Sequence, residues 1–219
     1  MTLAIFDLDN TLLGGDSDHA WGEFLIAQDL VDAETHKALN DRFYEDYQSG
    51  KLDIIAYQRF ALSHLKGQSV EQARALQARF FETTAEPLML DKAKELITKH
   101  REANDTLLVI TATNRFVTSP IVEAFDIPHL IACEPEIVNN HYTGEIVGVP
   151  SYQEGKIARL NEWLNQQPQK MSLEGAYFYS DSRNDLPLLS AIDHPVAVDP
   201  DDTLLAHAKS AGWPVISLR

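Results

Sequence analysis

Four consecutive apolar residues, Leu3-Ala4-Ile5-Phe6, run straight into Asp7-Leu8-Asp9-Asn10-Thr11. A short uninterrupted apolar run reads as a strand buried on both faces, the kind found in a parallel sheet covered by helices. Residues two apart on a strand point to the same side, so Asp7 and Asp9 are aimed at one small volume where that strand ends. Two carboxylates held so close repel unless a cation or a shared proton relieves them. A hard divalent cation with oxygen ligands, Mg2+ above all, suits the pair better than zinc, because no Cys or His flanks it.

Similar runs recur along the chain. Thr106–Thr111, Gly175–Asp181, Pro195–Val198 and Pro214–Ser217 read as further strands, and Glu136–Val147 as two strands about a polar turn. Helices are predicted over Lys92–Arg101, Arg115–Phe125, Lys156–Leu164, Asn184–Ala191 and Leu204–Ser210. From His19 to about Glu86 the spacing is helical throughout, with stripes such as Leu39, Phe43 and Tyr47, and Pro87 closes the block. Ahead of it, Gly14-Gly15-Asp16-Ser17-Asp18 is a turn-rich linker whose Asp or Ser suits a helix cap. Strands alternating with helices predict an α/β fold with a doubly wound parallel sheet. Residues 1–15 and 87–219 would form its core, with 16–86 as an inserted helical cap.

Composition removes several function classes. The 18 Lys and Arg against 33 Asp and Glu leave a formal net charge of −15 with no basic cluster, which argues against a nucleic-acid partner. A single cysteine, Cys133, excludes an internal disulfide, fits a reducing compartment and reads as a small buried apolar residue. The N-terminal apolar run is too short for a signal peptide, lacks a basic leader and contains Asp7, and no stretch approaches the length of a membrane span. The expectation is a cytoplasmic protein, monomer or homodimer, with no membrane partner. The eight histidines include no pair at metal-ligand spacing, and there is no Gly-x-x-x-x-Gly-Lys-Ser/Thr loop for a nucleoside triphosphate.

Three predicted strands end in chemistry, at Asp7, Thr111 and Asp181. Ligands of open α/β sheets bind at the carboxyl edge of the strands, so the three are expected to share one site. Asp185 follows Asp181 by four residues, and Lys156 opens a helix after Glu154-Gly155, with Arg159 and Lys170 as competing cations. A carboxylate nucleophile needs its phosphate target made electrophilic and their mutual repulsion cancelled, and Mg2+ with a lysine does both.

In order, Asp7-x-Asp9-x-Thr11, Ile110-Thr111, Lys156 and Asp181-x-x-x-Asp185 resemble the four motifs of the haloacid dehalogenase-like hydrolases, in the branch similar to phosphoserine phosphatase. The resemblance covers nearly the whole chain. It implies that Asp7 attacks phosphorus and becomes an aspartyl phosphate, with Asp9 as general acid and then general base. It further implies that Asp7, the Asp9 carbonyl and Asp181 hold Mg2+, that Thr111 bonds a phosphoryl oxygen, and that Lys156 neutralises Asp7 and the phosphoryl group. Asp185 and Asn184 would stand behind these, orienting a metal-bound water or Lys156.

Departures from that branch bear on the substrate. Its members usually carry Ser-Gly-Gly at the second motif and Gly-Asp-Gly at the fourth, whereas this chain has Thr111-Ala112-Thr113, with Asn114 behind, and Ser180-Asp181-Ser182. An acidic residue nine after the nucleophile holds the substrate ammonium in those enzymes, and Asp16 stands there, with Asp18 competing. Asn10, Asp16, Ala112, Thr113 and Asn114 are therefore the substrate-side candidates. Bulkier pocket residues with a retained acid suggest a small phosphorylated metabolite that has an amine but no serine-like carboxylate, and L-histidinol phosphate fits. A phosphoserine or other small-metabolite phosphatase, a phosphotransferase or mutase of the same superfamily, and a binding module without activity are the alternatives.

Overall fold

The structure is a computed structural model that describes residues 2–168 and 171–219, so Lys170 lies outside the described residues. Among the described residues seven strands, β1 (Leu3–Phe6), β2 (Thr106–Asn114), β3 (His129–Val138), β4 (His141–Val147), β5 (Tyr177–Ser180), β6 (His194–Val198) and β7 (Val215–Ile216), form one sheet in the order β4-β3-β2-β1-β5-β6-β7. Every pairing is parallel except β3 with β4. The apolar N-terminal run becomes the central strand because both of its faces are covered. Leu3 and Ile5 enter a core completed by Leu160, Leu188 and Leu204, while Ala4 and Phe6 enter the opposite one with Ile97, Val117 and Ile121. With β2 on one side of β1 and β5 on the other, the direction of winding reverses there, and the carboxyl end of β1 opens into the crevice where such sheets take ligands.

Helices α1 (Ser17–Ala27), α2 (Ala33–Gln48), α3 (Ile54–Ala61) and α4 (Val70–Phe80) separate β1 from β2. The long helical text breaks into four because each new helix has its own cap. Asp16, Asp32, Asp53 and Ser69 each accept first-turn backbone N–H groups, which satisfies donors a helix start otherwise leaves orphaned. Gly22 lets α1 and α2 cross closely, since a Cβ there would come within 2.5 Å of the Asn40 amide that donates to the His19 carbonyl. Trp21 is fully buried and its indole N–H donates to the Ala61 carbonyl, joining α1 to the end of α3.

Among the described residues the remaining α-helices are α5 (Asp91–Glu102), α6 (Arg115–Ala124), α7 (Glu154–Gln166), α8 (Leu186–Leu189) and α9 (Asp202–Ala211). Differences from the sequence expectation cluster at element ends. β2 continues three residues beyond Thr111 to Asn114, so Thr111 lies within the strand and not at its end. β3 begins at His129 instead of Glu136, because Leu130 and Ile131 pair with Val109 and Ile110 before the strand turns to β4. Asn184–Ala191 is only a tight turn, Arg183–Asp185, followed by four-residue α8, with Pro187 in its first turn. Cys133 is buried and free, and His100 is buried between Asp105 and the Tyr179 hydroxyl, both in packing roles. Among the described residues no helix is long and apolar enough to cross a membrane.

Candidate active site

β1 delivers Asp7 to the crevice, and the Asp7 N–H donates to the Tyr179 carbonyl at 2.9 Å, so the chain stays pinned to β5 just past the strand. The next residues curl back, with the N–H groups of Thr11, Leu12 and Leu13 all directed at the Leu8 carbonyl. Asn10 takes the left-handed conformation at φ 55°, which asparagine tolerates better than most residues. This curl turns Asp9 toward two elements at once. Its Oδ1 accepts from the Ser17 N–H at 2.6 Å, and its Oδ2 from the Thr113 hydroxyl at 2.8 Å and the Thr111 hydroxyl at 3.5 Å.

Lys156 arrives from the first turn of α7. Gly155 makes that start possible, since a Cβ there would lie 2.1 Å from the Pro150 carbonyl oxygen, which no side chain tolerates. The Lys156 ammonium donates to Asp7 Oδ1 at 2.8 Å and to the two oxygens of Asp185 at 2.7 and 2.8 Å. Asp185 also accepts from the Ser180 hydroxyl at 2.7 Å. Across the crevice, the Thr11 hydroxyl donates to Asp181 Oδ1 at 2.9 Å and accepts from the Asp181 N–H at 3.1 Å. Asp7, Lys156 and Asp185 are each less than 5% exposed.

Charge explains the ionisation of the group. Asp7 and Asp185 clamp one ammonium, and the charge of Asp181 acts on Asp7 beside them, so the buried set carries an excess of negative charge. Burial, and after it the charge of Asp185, pushes Asp7 up to about 7 although Lys156 pulls the other way. Asp181 is held well above the usual carboxylate range by burial and by Asp7. Burial works against the Lys156 charge, but Asp185 and Asp7 outweigh it and hold the ammonium protonated above its ordinary range. Asp9 is pushed up to about 6 by burial and by the charge of Asp16, against the bonds from Ser17 and Thr113. An all-oxygen donor set with surplus negative charge, facing an open crevice, fits a hard divalent cation, and Asp7, Asp9 and Asp181 are the residues that could hold it.

The other sequence candidates fall in different places. Asn184 accepts from the Tyr152 hydroxyl and the Gln153 amide, and donates to the Tyr47 carbonyl, fixing α2 against the turn that carries Asp185. Asn10 lines a groove with Asp181 and Arg183 that shares Tyr44 and Tyr47 with the cavity over Asp7 and Asp9. Asn114 is placed otherwise than as a substrate contact. It is fully buried, and its Oδ1 caps α6 by accepting from the Val117 N–H at 3.1 Å, so its carbonyl oxygen is already committed. Thr113 lines the cavity, but its hydroxyl is directed at Asp9, and the Ala112 carbonyl accepts from Gln58. Asp16 is the N-cap of α1, its Oδ1 accepting from the N–H groups of Asp18 and His19 at 2.9 and 2.8 Å, and it also borders the cavity.

That cavity lies between the strand ends and the helices of residues 17–61. Asp7, Asp9, Asp16 and Asp18 form its acidic floor, and Phe43, Tyr44 and Tyr57 its aromatic wall. Several of these residues were not singled out from sequence. Thr11 stood in the first motif and could have been read there. Ser17, which holds Asp9 through its backbone, and the ring-bearing residues of α2 and α3 carry no local signal that distinguishes cavity wall from core.

The chain belongs to the haloacid dehalogenase-like hydrolases, whose family model matches residues 4–190. A histidinol-phosphatase of Neisseria meningitidis serogroup C is 44% identical over 219 residues, spanning 99% of each chain. A Bordetella pertussis Tohama I protein of unknown function has a solved structure that superposes with a TM-score of 0.92 at 39% identity, each chain covered in full. A phosphoserine phosphatase structure, covered to 93% with all of this chain, shares the fold at a TM-score of 0.69 and 17% identity. The chain is an enzyme of that family, of the phosphatase type.

Proposed function

We propose that this phosphatase hydrolyses small phosphomonoesters bearing an amine, L-histidinol phosphate above all, through an aspartyl phosphate on Asp7 and with Mg2+ as cofactor. The observation that carries the reading is the buried ammonium of Lys156 clamped between Asp7 and Asp185, with Asp9 held beside them by Ser17 and Thr113. Lys156 occupies Asp7 Oδ1, while Asp7 Oδ2 accepts no bond among the described residues and is the oxygen available for attack. In the first step Asp7 Oδ2 bonds to phosphorus, the ester P–O bond breaks, and Asp9 passes its proton to the departing alkoxide. In the second step water attacks phosphorus, gives a proton to Asp9, and the bond from phosphorus to Asp7 breaks. An Asp9 carboxyl raised to about 6 holds its proton closer to neutrality than an ordinary aspartate, which suits the first of these roles. Thr111 would donate to a phosphoryl oxygen, its hydroxyl already positioned by accepting from the Thr113 N–H at 3.2 Å.

Mg2+, held by Asp7, the Asp9 carbonyl and Asp181 with Asp185 and Asn184 behind, would supply neutralisation of phosphoryl charge. The helices of residues 16–86 are the cap of this reading, since α2 and α3 roof the cavity over the carboxylates. A cavity with acidic floor, aromatic wall and, among the described residues, no lysine or arginine in its lining favours an alcohol with a cationic or ring-bearing end. The name of the 44% identical Neisseria relative points the same way. A panel of phosphorylated metabolites assayed for phosphate release tests the proposal. Histidinol phosphate should give the highest kcat/KM and chelation should stop turnover, whereas preference for phosphoserine or full activity in chelator would refute it.

A further inference from the structure

Which carboxylate reads the substrate's amine is a question the cavity answers on its own terms. Asp16 stands nine residues after Asp7, and its Oδ1 takes two short backbone bonds that fix the side chain as the cap of α1. Asp18, two residues further on, also borders the cavity and is only 4% exposed. Its contacts are long, 3.4 Å from the Gln58 amide to Oδ2 and 3.4 Å from the Asn114 amide to Oδ1, beyond the 2.7–3.2 Å of a well-made N–H···O bond. Tyr57 borders the same cavity, and its hydroxyl faces Asp18. Gln58 is fully buried, and its Oε1 accepts nothing among the described residues although its amide nitrogen reaches Asp18 and the Ala112 carbonyl. Gln58 lies behind the lining, so the carboxylate of Asp18 is the group at the cavity surface whose bonds from Gln58 and Asn114 are both long, and an ammonium carries three donors that could complete them.

We infer that Asp18, supported by Gln58 and Tyr57, is the specificity-determining residue that pairs with the ammonium of an amino-alcohol phosphate and turns away esters bearing a carboxylate. The inference rests on the phosphatase reading and adds the group that selects the leaving alcohol. Burial first, and then the charges of Asp16 and Asp9, hold the Asp18 carboxyl well above its ordinary range, a strain that a cation in the cavity relieves. A carboxylate brought to the same place would meet Asp16, Asp18 and Asp9 with no lysine or arginine of the lining to receive it. Histidinol and serine differ here in the feature that matters: the first offers an ammonium and an aromatic ring for Tyr44 and Tyr57, the second an ammonium beside a carboxylate.

The test compares histidinol phosphate with its deaminated analogue on the wild type, Asp18→Asn and Asp16→Asn in the presence of Mg2+. The wild type should favour the amine, and Asp18→Asn should lower that preference about tenfold or more, mainly through KM, the scale of a charge-assisted bond. Asp16→Asn keeps an N-cap side chain and should retain at least about a third of the preference. Collapse of the preference in Asp16→Asn with its retention in Asp18→Asn would overturn the assignment. Independently of any variant, histidinol should inhibit the wild type about tenfold or more better than histidine, which adds a carboxylate, and equal inhibition would also overturn it. Phosphate release from both esters with equal efficiency overturns the Asp18 assignment alone, while no release from either removes the phosphatase reading and the assignment with it.

Discussion

Replacing Lys156 by methionine keeps the length of the side chain and removes its charge, and the cost should depend on pH in a calculable way. Lys156 is 4% exposed at its side chain and meets Asp7 and Asp185, which are 5% and 2% exposed. Without the ammonium, one further proton has to enter the carboxylate set to hold its charge. The folded-state pKa of the pair then lies above the unfolded value of about 3.9, so the unfolded chain releases its proton first and stability falls as pH rises above about 4. Holding that proton at pH 7.5 costs about 3.6 units at about 1.36 kcal/mol each, up to about 5 kcal/mol, in line with the loss seen on breaking buried ion pairs. At pH 5 the same proton costs about 1.5 kcal/mol. The gain from burying a methionine is the same at both pH values, so the difference between them, about 3.4 kcal/mol, is the sharper quantity. Urea unfolding of both proteins at pH 5 and pH 7.5 in chelator measures it. A destabilisation equal at the two pH values, within about 1 kcal/mol, would show that the ammonium does not carry the charge balance of Asp7 and Asp185.

Asp9→Asn should lose about two to four powers of ten in kcat on an alkyl phosphate, and much less on nitrophenyl phosphate, whose leaving group needs no proton; equal losses would assign Asp9 a role without proton transfer. Gly155→Ala should destabilise the fold by about 1–3 kcal/mol and lower kcat together, because the backbone that yields to the new Cβ carries Lys156. An unchanged melting temperature and kcat would show that the Pro150 contact does not set the start of α7.

Much of this architecture is legible in the sequence because it is written locally. The central strand shows as Leu3-Ala4-Ile5-Phe6, and the order of strands and helices follows from short apolar runs and helical stripes that tertiary context left in place. The carboxylates and Lys156 stand at strand ends and a helix start, where position in the chain already implies position at the sheet edge. What eludes the reading depends on partners far apart in sequence. Leu130 and Ile131 join β3 only because β2 offers them a parallel neighbour, and the short apolar run around them is ambiguous alone. Asn114 was open to a local reading, since an asparagine ahead of a helical stretch is an N-cap signal, and the cap is what the structure shows. Tyr57 and Gln58 sit one residue apart on α3, yet one faces the cavity and the other is fully buried beneath it, a division that helical periodicity cannot supply without knowing what α3 packs against.

The central claim is that the phosphoryl group passes through Asp7. Acid-quenching the wild type during turnover of histidinol phosphate with Mg2+, followed by peptide mass analysis, tests it most directly. The account predicts one phosphoryl group on the peptide that contains Asp7, labile to alkali as an acyl phosphate is, and neither that adduct nor phosphate release in Asp7→Asn. A phosphoryl group on another residue, or phosphate release by Asp7→Asn at the wild-type rate, would contradict it.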